Sequence, residues 1–116
     1  MKPIGGNLTA QLQLKTGSVK NEIGEKVPQW TTVHNLTGFL DLANGDSKYS
    51  SYDAKIQEST HIFICDYVQI DERITAENSR MIIKSRMYDV MLIDDPMELN
   101  KHLEIYLKYT GGQNGA

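Results

Sequence analysis

Three histidines, one cysteine and a run of aspartates are the residues of this chain that could do chemistry. His34, His61 and His102 would have to meet in space to bind a metal, because none stands in a His-x-x-x-His pair or near a second ligand at zinc-site spacing. Asp89, Asp94 and Asp95 resemble a carboxylate cluster, yet the calcium-loop spacing with its terminal glutamate is missing. Asp95, Pro96 and Glu98 read instead as a helix start, with an N-cap, a proline at the first position and an acid in the first turn. Cys65 lies inside His61-Ile-Phe-Ile-Cys-Asp-Tyr-Val68, where a small buried thiol is the ordinary occupant. As the lone cysteine it forms no intrachain disulfide, which fits a reducing compartment. No Gly-x-Ser-x-Gly elbow, phosphate-cradling glycine loop or adjacent Cys/His couple occurs. We therefore expect no catalytic residues, no metal and no cofactor, and a protein that is not an enzyme.

The elements that would position these residues are strands. Leu103, Ile105, Leu107 and Tyr109 alternate with His102, Glu104, Tyr106 and Lys108, and Val90 and Leu92 alternate with Met91 and Ile93. A half-buried antiparallel strand has this period of two. Ala10 to Lys15 alternates in the same way, with Leu12 and Leu14 directed inward and Gln11 and Gln13 outward. Val27 onward reads as its hairpin partner, with Pro28 at the strand's start or edge and Gly38 at a bulge or bend. Thr60–Val68 is apolar on both faces, and Arg80–Lys84 and Tyr88–Ile93 form a hairpin over Ser85-Arg86-Met87. Trp30 is the expected core anchor, since burying an indole removes roughly 200 Å² from water, worth about 5 kcal/mol at the upper bound.

Size and charge narrow the function. A chain of 116 residues makes one domain that buries roughly 65% of its unfolded surface, with little to spare for a deep cleft. Apolar runs are short and no charged-then-apolar leader follows Met1, so neither a membrane span nor a classical signal is expected. The net charge of −3 is uneven: residues 1–40 carry +2, residues 41–79 carry −5 and residues 80–116 are balanced. A free-standing nucleic-acid binder should show a basic face, which this distribution does not provide. The expected organisation is a flexible N-terminal arm (1–8), a small antiparallel β-barrel (9–110) with a long loop (41–59) and at most a short helix, and a flexible tail (111–116). Within the loop, Asn44-Gly45-Asp46 is turn chemistry, and Tyr49 and Tyr52 suit a contact surface.

Trp30-Thr-Thr-Val33, Leu36-x-Gly38-x-Leu40, His61-Ile-Phe63, Arg80-Met-Ile-Ile83, Tyr88-Asp-Val through Asp94-Asp95-Pro96-Met-Glu-Leu99, and Leu103-Glu-Ile-Tyr-Leu107 together form a pattern. Over roughly Asn21 to Gly112 the chain resembles the tailed-phage head-closure proteins, the head-tail joining or connector-stopper family. It departs from the commoner pattern at Ser85-Arg86, where a glycine often sits, and in its acidic stretch Gln69 to Asn78. The resemblance implies a barrel of about seven short strands that assembles with copies of itself into a ring, commonly a dodecamer, below the portal and adaptor proteins. Such a ring closes the filled head, lets double-stranded DNA pass without reading its sequence, and docks the tail. It implies a location in the virion, at the head-tail connector, after assembly in the bacterial host cytoplasm. It also implies that the 41–59 loop, through Asp46, Tyr49, Tyr52 and Lys55, touches the tunnel, and that Arg80, Lys84 and Arg86 belong to a subunit or adaptor interface. The alternative reading is an OB-like barrel that binds nucleic acid, with Trp30 as a base-stacking platform.

Overall fold

A computed structural model describes residues 5–42 and 59–113. Its six strands are β1 (Leu8–Lys20), β2 (Lys26–Leu42), β3 (His61–Asp66), β4 (Ser79–Ile83), β5 (Arg86–Asp94) and β6 (His102–Gln113). They close in the order β1-β2-β3-β6-β5-β4, every pairing antiparallel, into a barrel that is not evenly round. Two three-stranded meanders, β1-β2-β3 and β4-β5-β6, are sealed along the β1–β4 and β3–β6 seams. The mainly β, single-domain barrel is therefore as expected. About seven strands were implied, whereas the described residues form six.

Alternation fills the interior. Ala10, Leu12, Leu36, Phe63, Cys65, Met81, Ile83, Tyr88, Val90, Leu103, Ile105 and Leu107 form one buried cluster, to which every strand contributes. Phe63 is the largest side chain fully excluded from water. Trp30, the expected anchor, is only half-buried on the outer wall. It pairs with Lys15 and shares the outward face of β2 with Thr32, where the Arg80 guanidinium covers its ring. Cys65 is buried as expected, and desolvation first, then the Asp66 charge, pushes its thiol up to about 11.

Two bulges refine the alternation. A register shift between Leu12 and Gln13 leaves Gln13 buried even though its side chain reaches outward partners on both neighbouring strands. A second shift lies between Val90 and Leu92, and Met91 has no partner on β6. Val90 and Ile93 consequently pack on the core, while Leu92 stands opposite the outward Tyr106. The simple alternation expected for Val90 and Leu92 fails here because one extra residue reverses the face.

The turns follow local chemistry. Ile83 pairs with Arg86, so the β4–β5 turn is Lys84-Ser85, one residue earlier than expected, with φ of 52° and 64°. A two-residue loop with both central residues in the left-handed region matches the twist of the flanking strands. Neither lysine nor serine favours that region, so Lys84→Asn with Ser85→Gly should raise stability by about 1 kcal/mol or more, read as an increased Tm. After β5, Pro96–Glu98 makes a single 3-10 turn, and the Asp95 carboxylate accepts the Asn100 N–H at 3.0 Å. The acidic connection between β3 and β4 is pinned at two points. Its Asp71 N–H donates to His34 Nε2 at 3.0 Å, and the Asn78 side chain accepts the Thr75 N–H at 2.7 Å.

At the N-terminus, β1 begins at Leu8, and the Gly5 N–H donates to the Asp66 carboxylate at 3.2 Å. At the other end β6 continues to Gln113. Since strands alternate in direction, the β1–β2 turn, residues 67–78 and residues 95–101 share one end of the barrel. The start of β1, the end of β2, the start of β3 and the β4–β5 turn share the other.

Candidate interaction surface

The outer wall carries a continuous side-chain row. Arg80, on β4, faces Gln13 of β1 and Asp89 of β5 across the sheet. Its Nε donates to Gln13 Oε1 at 2.8 Å, Gln13 Nε2 donates to Thr32 Oγ1 at 3.1 Å, and another guanidinium nitrogen lies 3.2 Å from the Met87 sulfur. The guanidinium carbon sits 4.3 Å from the centre of the Trp30 ring. Cation–π stacking and partial burial thus hold Arg80 flat, and desolvation lowers its pKa.

Lys84 and Arg86 behave differently. Both are exposed, at the tip and the foot of the β4–β5 turn. The structure therefore separates the three basic residues: Arg80 is a wall component, whereas Lys84 and Arg86 project from one end of the barrel. Asp46, Tyr49, Tyr52 and Lys55 lie outside the described residues.

A groove runs along the outside of β5. Trp30, Ala76, Glu77, Ser79, Asp89, Val90 and Met91 line a cavity of about 400 Å³. A second, of about 230 Å³, is lined by Ile74, Thr75, Ala76, Glu77, Met91, Leu92 and Ile93. They share Ala76, Glu77 and Met91, so the two adjoin along β5 beside the 3-10 turn at Ala76–Asn78. The bulge at Met91 creates its apolar floor by turning Met91 and Leu92 outward. Glu77 and Asp89 are exposed on its rim, and no salt bridge engages either among the described residues.

No family model and no curated protein matches this chain. Among solved structures it is similar to protein SF1141 from Shigella flexneri 2a, determined in solution. The two share 18% identity over 96% of this chain and 98% of that one, with a TM-score of 0.60. That likeness concerns the fold.

Sequence reasoning did not single out the groove. Its signal was the run Met91-Leu92-Ile93: three successive apolar residues after an inward Val90 cannot all enter a core with a period of two. Glu77 was visible only as part of an acidic stretch, and Asp89 only as a member of a possible carboxylate cluster. The structure divides that cluster. Asp89 is on the groove rim, while the Asp94 carboxyl is held above its usual range by burial, then by Glu104 and Asp95, with His102 pulling the other way. Among the described residues, no group of three or more histidine, cysteine or acidic side chains is placed to hold a metal.

The histidines have separate surroundings. His34 holds the β3–β4 connection, and His102 Nε2 lies 3.1 Å from Glu104 Oε2. His61 packs edge-on against Tyr88 and Tyr109, with ring centres 5.2 and 6.4 Å away, and its Nδ1 is 2.8 Å from Thr60 Oγ1. Burial, followed by the Arg86 charge, lowers its pKa below 6.5. The folded state thus binds that proton more weakly than the unfolded chain does. The His61 contribution to stability is present above pH 6.5 and is lost as the pH falls from 6.5 through the lowered folded value. His61→Phe should reduce the loss of Tm on acidification across that window, measured against the wild-type profile.

Proposed function

We propose that this chain is a structural subunit of a phage or prophage head-to-tail connector. Copies form a ring below the portal and adaptor, close the DNA-filled head and dock the tail, in the virion. Double-stranded DNA passes without sequence-specific contact, and the chain performs no reaction. The observation that carries the reading is a small closed barrel whose interior is filled by its own side chains and whose distinctive chemistry lies on the outside. A groove with apolar floor and acidic rim, and a cationic turn at the barrel end, are features that a scaffold uses to meet other subunits. The head-closure resemblance supplies the particular assembly. The acidic balance of residues 41–79 agrees with it, because a negative tunnel wall lets DNA slide instead of adhering.

The OB-like alternative rested on Trp30 as a stacking platform. Arg80 occupies one face of that ring, and the barrel is six-stranded and closed instead of five-stranded and partly open. Nothing in the wall therefore favours it.

The test is attachment. Tagged protein expressed during infection should decorate the portal vertex of DNA-filled heads in electron micrographs. Deleting Asn44–Lys55 should leave the barrel folded while heads lose DNA or fail to take tails. Deleted particles that keep their DNA and bind tails would refute the role of that loop, and heads with no label at the portal vertex would refute the connector reading itself.

A further inference from the structure

We propose that the groove along β5 receives the β4–β5 turn of a second copy of this chain, with Lys84 and Arg86 of one copy set against Glu77 and Asp89 of the next. The ring it would build rests on the connector reading; the contact itself rests on shape and charge.

The groove suits a narrow occupant that carries cations at its edges. Its floor is Trp30, Met91 and Leu92, half-buried side chains outside the core cluster, together with Ile74, which also packs on that cluster, and its rim holds the exposed carboxylates of Glu77 and Asp89. The β4–β5 turn has the matching profile. It is a tight two-residue loop, with Lys84, Ser85 and Arg86 exposed and Met87 half-buried behind them. Among the described residues neither cation forms a salt bridge, and neither do the two carboxylates. Glu77 faces no cation across a strand pair, and Asp89, though flanked by Arg80 and Lys108, makes no salt bridge; opposite charges on two separate surfaces favour bringing those surfaces together and set their register.

Topology decides which copy supplies the turn. The groove wall at Ala76–Asn78 belongs to one end of the barrel and the Lys84-Ser85 turn to the other, so a molecule cannot fill its own groove. Contact between two unlike patches is heterologous, and its repetition yields a ring if the rotation closes. A turn in a groove buries far less than the roughly 800 Å² per partner of a stable pairwise interface, so each contact is weak and closure of the ring must add them together.

Site-directed thiol linkage tests this in the full-length protein. Cys65 is buried and its thiol is raised to about 11, so it should stay silent toward maleimide at neutral pH. Protein carrying both Ala76→Cys and Ser85→Cys, concentrated at low salt and treated with a short bis-maleimide, should give a ladder of dimers, trimers and higher species. Each single variant alone should remain monomeric, and an equimolar mixture of the two should stop at the dimer. Charge exchange adds a second readout: Glu77→Lys or Arg86→Glu should lower linkage by about tenfold, and the two combined should recover much of it. Absence of linkage, linkage that stops at the dimer in the double variant, linkage of Ser85→Cys to itself, or charge exchange without effect would each overturn the contact. Failure of the contact is distinguishable from failure of the connector reading. Portal-vertex label without a ladder would remove only the contact, and a ladder without portal-vertex label would remove only the connector.

Discussion

Replacing Ile105 with aspartate should abolish the folded state. Ile105 is 0% exposed, pairs with Phe63 on one side and Ile93 on the other, and touches the cluster to which all six strands contribute. The change removes a fully buried aliphatic side chain, worth about 2–3 kcal/mol, and places a carboxyl where nothing offers it a hydrogen bond, at several kcal/mol more. A domain of this size has about 5–15 kcal/mol in total, so the variant should show no cooperative thermal transition. Lys108→Asp makes the informative control. It lies on the same strand, faces solvent, and introduces the same side chain; opposite Asp89 of β5 it adds a like-charge pair, so its effect should stay at about 1 kcal/mol. Because strand periodicity is two, similar melting curves for the two variants would mean that β6 is assigned to the wrong register.

That pair of variants also marks where the sequence was legible. Leu103, Ile105 and Leu107 advertise an inward face because charged or polar residues occupy every position between them, and the structure places all three in the core. Cys65 was readable for a different reason, as a small thiol inside a largely apolar strand. Trp30 was not. Hydrophobic area argues for burial, but which face of a strand turns inward is a property of register, and Trp30 falls on the outward face of β2, beside Arg80. Leu92 and Ile93 were misread through a single extra residue, since a bulge has no composition of its own and reverses the face of everything beyond it.

The candidate surface was less legible than the fold, for a related reason. Arg80, Lys84 and Arg86 are close in sequence and look like one basic rim, yet a strand and a turn aim them differently. Arg80 is fastened between Gln13 and Trp30, two residues that nothing in its own segment predicts. Lys84 and Arg86 remain free to meet a partner because the turn projects them from the barrel end. The groove is a product of three separated stretches, around Trp30, Ile74–Glu77 and Asp89–Ile93, and becomes visible only when the barrel closes. Local pattern can report which residues lie outside; it cannot report which outside residues adjoin.

Gly38 is the position where backbone proximity, rather than side-chain chemistry, decides stability. It pairs with Leu8 of β1 and Cys65 of β3 at once, at the point where β2 passes from one neighbour to the other. A Cβ there would be driven into the carbonyl oxygen of Ile64, with the Cβ of Cys65 only 3.0 Å away. Backbone cannot swing aside as a flexible side chain does, so the strands must part and the ladder between β2 and β3 must loosen. No register shift falls at Gly38 itself, so the glycine serves close approach and not the bulge that its position in the sequence invited. Gly38→Ala should therefore lower stability by about 3 kcal/mol and Gly38→Val by more, measured by denaturant melts. Gly6 provides the comparison, because a Cβ on it would meet the Gly38 backbone from the other side. Gly6 precedes β1, where the chain can lift away without opening the barrel, so Gly6→Ala should lose only about 1 kcal/mol. Combined, the two substitutions should lose less than their sum, since an arm already displaced by the wider β2–β3 gap has little left to forfeit. A Gly38→Ala protein that melts like the parent would place the close approach elsewhere and remove the steric reason for a glycine at this crossing.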